Sequence, residues 1–254
     1  MGPPPPPTDV AVASSSVLLV VPFFHHLSLA VWMVFVLGFA LFQRRLLPAR
    51  LAKLAAKCYF YPTLPLTYAR LVFLPPRAGL WTPVDDTVIV GAAPLGCLGH
   101  PSRLRRLGVR AVVNCCDEYE GPNWARSLVD HLHVPTVDHV EPSRADLETA
   151  VRFIDAHRKR GHKVYVHCKA GHGRSAAVAY AWLLHANHKR VAPFDLFEAL
   201  ANKRKVKRDL WQQPNILAFY DALPLATPPL LSFLGKAPAP APATVPLWDS
   251  PPPR

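Results

Sequence analysis

The stretch Val164–Ser175, V-Y-V-H-C-K-A-G-H-G-R-S, decides how this chain is read. A short apolar run ends in His167 and Cys168, a Gly-containing loop follows, and the loop closes on Arg174 and Ser175. Apolar residues then recur from Ala176 to Leu184 with helical spacing. The spacing predicts a strand, a tight loop and a helix N-terminus. Such a loop suits a phosphate, because successive backbone N–H groups point inward and the helix dipole adds positive potential. The planar guanidinium of Arg174 can hold two phosphate oxygens at once. The same field lowers the pKa of Cys168 and makes it a thiolate at neutral pH. A thiolate attacking phosphorus would give a phosphocysteine, so the loop reads as both cradle and nucleophile. The phosphate-binding set is Lys169, Ala170, Gly171, His172, Gly173 and Arg174. Ser175 would donate a hydrogen bond to the sulfur, and His167 would orient the loop.

Outward from the loop, strands are expected at 87–90, 110–115, 133–137 and 163–167. Helices are expected at 101–107, 123–130, 144–159, 175–187, 193–203 and 214–223. Strands alternating with helices imply an α/β fold, a central mainly parallel sheet flanked by helices, with its ligand at the C-terminal strand ends. A phosphomonoester also needs a general acid from a neighbouring strand end. Asp138, in T-V-D-H-V-E-P after the third strand, is the first candidate, and Glu141 is the reserve. Asp117, Glu118, Tyr119 and Glu120 close the second strand and would shape the pocket rim. Lys169 and His172 would add positive charge inside the loop, as a substrate with more than one anionic group would require. Cys115 and Cys116 read as buried strand thiols.

The chain has 254 residues, 50% apolar and only 18% charged, which is apolar for a soluble enzyme and points to a membrane segment. Lys and Arg number 29 against 17 Asp and Glu, a net charge of +12. That balance favours anionic partners. No basic run is interleaved with aromatics, so nucleic acid ranks last among them. Five cysteines without a repeated spacing form neither a disulfide framework nor a zinc site. No metal or organic cofactor is expected.

The Pro-rich ends, 1–16 and 224–254, read as disordered. Residues 17–42 are almost wholly apolar and long enough to cross a bilayer core of about 30 Å. They are followed at once by Arg44 and Arg45, then by Arg50, Lys53 and Lys57. A single-pass transmembrane helix is the expectation, with a buried core helix as the alternative. No acidic residue occurs between Val10 and Val84. Residues 43–80 then read as a basic juxtamembrane helix and linker on anionic headgroups. The catalytic domain would occupy 81–223.

The H-C-x5-R-S motif resembles that of the cysteine-based dual-specificity phosphatases. Within them the chain is most similar to the mitochondrial PTPMT-type lipid phosphatases, which dephosphorylate phosphatidylglycerophosphate on the way to cardiolipin. The likeness rests on F-Y-P-T-L-P-L-T-Y-A-R at Phe60–Arg70, V-I-V-G-A-A-P-L at Val88–Leu95, N-C-C-D-E-Y-E at Asn114–Glu120, and V-Y-V-H-C-K-A-G at Val164–Gly171. The resemblance implies Cys168 as nucleophile, Arg174 as phosphate-binding Arg and Asp138 as acid. Asp117–Glu120 matches the family's E-E-Y-E element. His172 stands where the family usually has Arg, and in this the loop is also similar to the C-K-A-G-K-G-R loop of phosphoinositide 3-phosphatases. A membrane-anchored phosphatase acting on a phosphorylated lipid is implied, in the mitochondrial inner membrane or alternatively the endoplasmic reticulum. The alternatives are a phosphoprotein or phosphoinositide substrate, or a silent phosphate-binding scaffold. Loss of the Cys or Arg would mark the scaffold, and both are present.

Overall fold

The computed structural model describes residues 29–73, 79–121, 130–187 and 189–224. Its centre is a five-stranded sheet of β1 (Trp81–Pro83), β2 (Val88–Gly91), β3 (Val109–Cys116), β4 (Asp130–Thr136) and β5 (Lys163–His167). The spatial order is β1-β2-β5-β3-β4. β5 therefore lies in the middle, parallel to β2 and to β3, and β3 is parallel to β4. The sheet is mainly parallel, as expected, with one antiparallel addition. β1 pairs antiparallel with β2 along the edge. It is only three residues long and ends in Pro83, too weak a signal for sequence reading, and an edge is where a strand tolerates proline.

The central strands are buried on both faces, and their residues divide by the period of two. Val88, Val90, Ala111, Val113, Val164 and Val166 enter one core cluster; Ile89, Val112 and Tyr165 enter the opposite one. The larger cluster is closed by α4 (Arg144–Arg158), α5 (Arg174–Asn187), α6 (Pro193–Lys203) and α7 (Pro214–Asp221). The smaller is closed by Leu104 of α3 (His100–Arg106). Ala176, Ala177, Ala179 and Ala181 are all buried, and their small size lets α5 lie close to the sheet. Ser143 and Asp146 form a capping box at the start of α4, which fixes the chain just after the Asp138 loop.

The N-terminal region differs from its sequence reading. Residues 29–43 are helical, here α1, and a second helix, α2, runs unbroken over Ala49–Phe73. Pro62 and Pro65 lie inside α2, where each removes a ladder hydrogen bond. Packing overrides that cost. Phe60, Leu64, Tyr68 and Leu71, one helical face, are buried in the main core with the sheet. Phe60 stacks on Tyr119 at 5.0 Å, and the Tyr68 hydroxyl donates to the Ala93 carbonyl. The segment expected as a basic juxtamembrane helix and linker, 43–80, thus includes one long helix packed into the core of the catalytic domain. Of the expected membrane span, 17–28 lie outside the described residues. Among the described residues no helix is long and apolar enough to cross a membrane. The tail expected at 1–16, all of the tail expected at 224–254 except Pro224, and nearly all of the helix expected at 123–130 lie outside the described residues; Asp130 itself begins β4.

Phe60 is fully buried. Phe60→Ala should therefore destabilise the domain by about 3–5 kcal/mol, measured by urea unfolding. A loss near zero would mean that α2 is an appendage.

Candidate active site

The loop Cys168–Gly173 leaves the C-terminal end of β5, and Arg174 opens α5. Its shape follows from where its carbonyls go. The Lys169 carbonyl accepts from the Ala93 N–H at 3.2 Å, and the His172 carbonyl accepts from the Lys207 N–H at 3.2 Å. The two between them accept from one side chain. Arg204 Nη2 donates to the Ala170 carbonyl at 2.8 Å and Nε to the Gly171 carbonyl at 2.7 Å. A trans peptide points its N–H opposite its C=O. Tying these carbonyls outward therefore turns the N–H groups of Ala170, Gly171, His172 and Gly173 toward the cradle. The Gly171 N–H indeed reaches Cys168 Sγ at 3.3 Å. Gly171 has φ +77°, and a Cβ there would lie 2.4 Å from Arg204 and 2.7 Å from the Gly91 carbonyl, so only glycine fits.

Arg174 is 3% exposed, and its partners come from other strand ends. Nη1 donates to the Thr136 carbonyl at 2.7 Å and to Glu118 Oε2 at 2.8 Å, and Nη2 donates to Glu118 Oε1 at 2.8 Å. Asp138 Oδ1 lies 3.1 Å from Nη2. Nε is buried without a partner among the described residues. Burial alone would push the Cys168 thiol up. Arg174, followed by the side-chain and backbone hydrogen bonds from Ser175, outweighs burial and holds the thiol below its ordinary value. Ser175 Oγ donates to Sγ at 3.2 Å. Burial would likewise raise Asp138, but Arg174, His139 and Lys169 hold its carboxyl below the usual range.

The structure brings Cys168, Arg174, Ser175 and Asp138 together. Glu141 is engaged elsewhere, accepting from Lys207 Nζ at 2.9 Å, and it does not line the cavity. The Asp117–Glu120 element, expected at the rim, is dispersed. Asp117 pairs with Lys53 at 3.0 Å, Glu118 holds Arg174, Tyr119 is buried with its hydroxyl on the Pro94 carbonyl at 2.7 Å, and Glu120 is exposed. None of the four lines the cavity. His167 is buried, and burial lowers its pKa to about 3, so it is neutral. His172 does not add the positive charge expected of it. Burial, then the charges of Arg204, Lys205 and Arg70, lower it to about 4. Lys169 Nζ is held by Thr63 Oγ1 at 2.5 Å and the Tyr59 carbonyl at 3.2 Å. Cys115 and Cys116 are buried free thiols raised by burial.

Sequence reading missed Arg204, Thr136 and the walls of the site. Arg204 sits in the run K-R-K at Lys203–Lys205, which looks like a solvated helix end. Thr136 acts through its backbone and carries no side-chain signal. The cavity of ≈ 260 Å³ above Cys168 takes one wall from Phe39 and Gln43 of α1 and from Thr63, Leu66 and Arg70 of α2.

A thiol of lowered pKa beside a buried guanidinium, in a loop of inward N–H groups at the end of a parallel strand, is the site of a cysteine-based phosphatase. The dual specificity phosphatase catalytic-domain family matches residues 96–214. A mouse protein, phosphatidylglycerophosphatase and protein-tyrosine phosphatase 1, is 35% identical over 162 residues, 59% of this chain and 80% of the relative. The phosphatidylglycerophosphate phosphatase PTPMT2 of Arabidopsis thaliana is 33% identical over 150 residues, 57% of this chain and 64% of the relative. The crystal structure of Tk-PTP in the active form superposes with a TM-score of 0.50 at 25% identity, over 56% of this chain and 97% of that one. The chain belongs to the PTPMT group of the dual-specificity phosphatases.

Ser175→Ala removes one donor to the sulfur. The thiol pKa should rise, moving the acid limb of kcat/KM for a small aryl phosphate to higher pH. Titration of the thiolate ultraviolet absorbance checks the shift directly.

Proposed function

We propose that this chain hydrolyses the phosphomonoester of phosphatidylglycerophosphate, through a phosphocysteine on Cys168, at a membrane surface. The observation that carries the lipid reading is the composition of the site's outer wall. α1 and α2, which line the cavity, leave Val31, Trp32, Met33, Val34, Leu51, Leu54 and Leu66 exposed. Arg44, Arg45, Arg50, Lys53 and Lys57 lie among them, and residues 29–73 contain no Asp or Glu. An apolar and basic surface around the mouth of a phosphatase site fits an anionic lipid layer. The reading places the chain on a membrane through the segment that includes α1, with the mitochondrial inner membrane as the expected compartment.

In the first step the Cys168 thiolate attacks phosphorus, the bond to the glycerol oxygen breaks, and that oxygen takes a proton from Asp138. The loop N–H groups and Arg174 Nε stabilise the equatorial oxygens. Arg174 beside it holds Asp138 ionised. A bound phosphate shares that guanidinium and adds negative charge, and both effects raise the carboxyl toward the protonated form an acid requires. In the second step water attacks the phosphocysteine and loses its proton to Asp138. The S–P bond breaks, and Ser175 stabilises the departing thiolate.

The substrate's second phosphate, a diester, needs its own cation. Arg174 and Lys169 are engaged as described, and Lys207 is paired with Glu141. Arg70 lines the cavity, is exposed, and has no carboxylate partner among the described residues, so it takes that role. Arg70→Ala should raise KM for the lipid about tenfold, equivalent to ~1.4 kcal/mol, with a smaller effect on an aryl phosphate.

With purified full-length chain and phosphatidylglycerophosphate in mixed vesicles, Cys168→Ser should abolish phosphate release. A wild-type kcat/KM higher for phosphotyrosine peptides than for the lipid would sink the lipid assignment and leave the chain a protein phosphatase.

A further inference from the structure

Helix α1 is joined to the catalytic machinery and is more than a tether. Its inner face carries Phe35, Phe39 and Phe42, spaced for one side of a helix. The three rings surround Tyr59 of α2, with centroids 4.8, 5.2 and 6.1 Å away. The Tyr59 hydroxyl donates to the Phe35 carbonyl at 2.9 Å. A Cβ at Gly38 would lie 2.7 Å from that hydroxyl, so the close approach depends on glycine. α1 is therefore seated by shape and by a directed bond.

At its C-terminal end the helix meets the Asp138 loop. Phe42 is 5% exposed and stands edge-on to His139, with ring centroids 5.2 Å apart. Val137 packs into the same cluster as Phe42 and Tyr59. Asp138 is thus flanked on both sides by residues resting on α1. The loop needs that support. His139 holds a left-handed backbone conformation, φ +66°, which a non-glycine residue adopts at a cost. The loop's own backbone contributes the Val140 N–H to the Val137 carbonyl at 3.1 Å.

We propose that Phe42 is a positioning residue for the acid step: by packing on His139 it keeps Asp138 against Arg174, where the leaving group is protonated. This rests on Asp138 being the general acid, as the function above assigns it. Phe42 touches neither sulfur nor phosphate, so it acts only through Asp138, and its effect on the acid step is read in kcat/KM, which reports the first step alone. Substrates with poor leaving groups need that proton far more than those with good ones.

The experiment compares kcat/KM of the full chain on glycerophosphate, a poor leaving group, and on p-nitrophenyl phosphate, a good one. Phe42→Ala should lower the first about tenfold more than the second, and Phe42→Leu, which keeps most of the bulk, should recover most of the difference. Phe35→Ala removes a ring from the same cluster away from His139. It should cost thermal stability without that leaving-group difference. Equal losses on both substrates in a folded Phe42→Ala, or the same difference in Phe35→Ala, would overturn the role. Asp138→Asn, measured in parallel, separates the two assignments. If it shows no leaving-group difference, the acid is wrongly placed. If it does and Phe42→Ala does not, only the role of Phe42 falls.

Discussion

A guanidinium buried to 3% exposure must be satisfied by fixed partners, and Arg174 draws them from two strand ends. Glu118 follows β3, Thr136 ends β4, and Asp138 lies just beyond it. Burying an ion costs several kcal/mol, and removing one partner of a buried pair typically costs a further 3–5 kcal/mol. The pairing register is therefore a catalytic requirement as well as a structural one. Asn114 opposite His167 and Cys116 opposite Thr136 set the strand ends so that these groups converge. The same positive charge lowers the Cys168 thiol and the Asp138 carboxyl. Nucleophile and acid thus share one regulator. A phosphate that takes part of Arg174 releases Asp138 toward protonation, so the acid is made ready by the substrate that needs it.

A second buried guanidinium works from outside the loop. Arg204 is fully buried and also donates to the Gly79 carbonyl at 2.8 Å and to Thr82 Oγ1 at 3.1 Å. It joins α6 to the β1 edge and to the loop's outer face. Without it two adjacent loop carbonyls would lose their donors, and the inward set of the N–H groups would lose its cause. Arg204 holds the loop from outside, and Gly171 is the residue small enough to lie against it.

What the sequence made legible was local. β5, the loop and α5 follow from an apolar run, two glycines and a helical apolar period, all adjacent in the chain. Asp138 was legible because it lies just after a β-branched strand. The partners that act at a distance were not. Arg204 lies thirty-six residues after Cys168 in a basic run, and nothing local marks it as buried. Glu118 was legible as a carboxylate at a strand end, but its bond to Arg174 depends on strand order. His172 read as a charge because sequence shows a base and not the burial and neighbouring cations that keep it neutral. α2 was the largest difference: 43–80 read as a basic juxtamembrane helix and linker, and the burial of Phe60, Leu64, Tyr68 and Leu71 makes one helix of Ala49–Phe73 despite its two prolines.

The loop's chemistry rests on the C-terminal strand ends and Arg204, so the choice of substrate must come from what surrounds them. Tyr59 shows how closely the surroundings are tied in. Its hydroxyl bonds the backbone of α1, and its carbonyl accepts from Lys169 inside the loop at 3.2 Å. One residue thus links the outermost helix to the residue next to Cys168. A helix whose outer face is apolar and whose inner face reaches the loop cannot change its surroundings without consequence for the site. In this chain the helices proposed to meet the membrane are the ones that line the pocket.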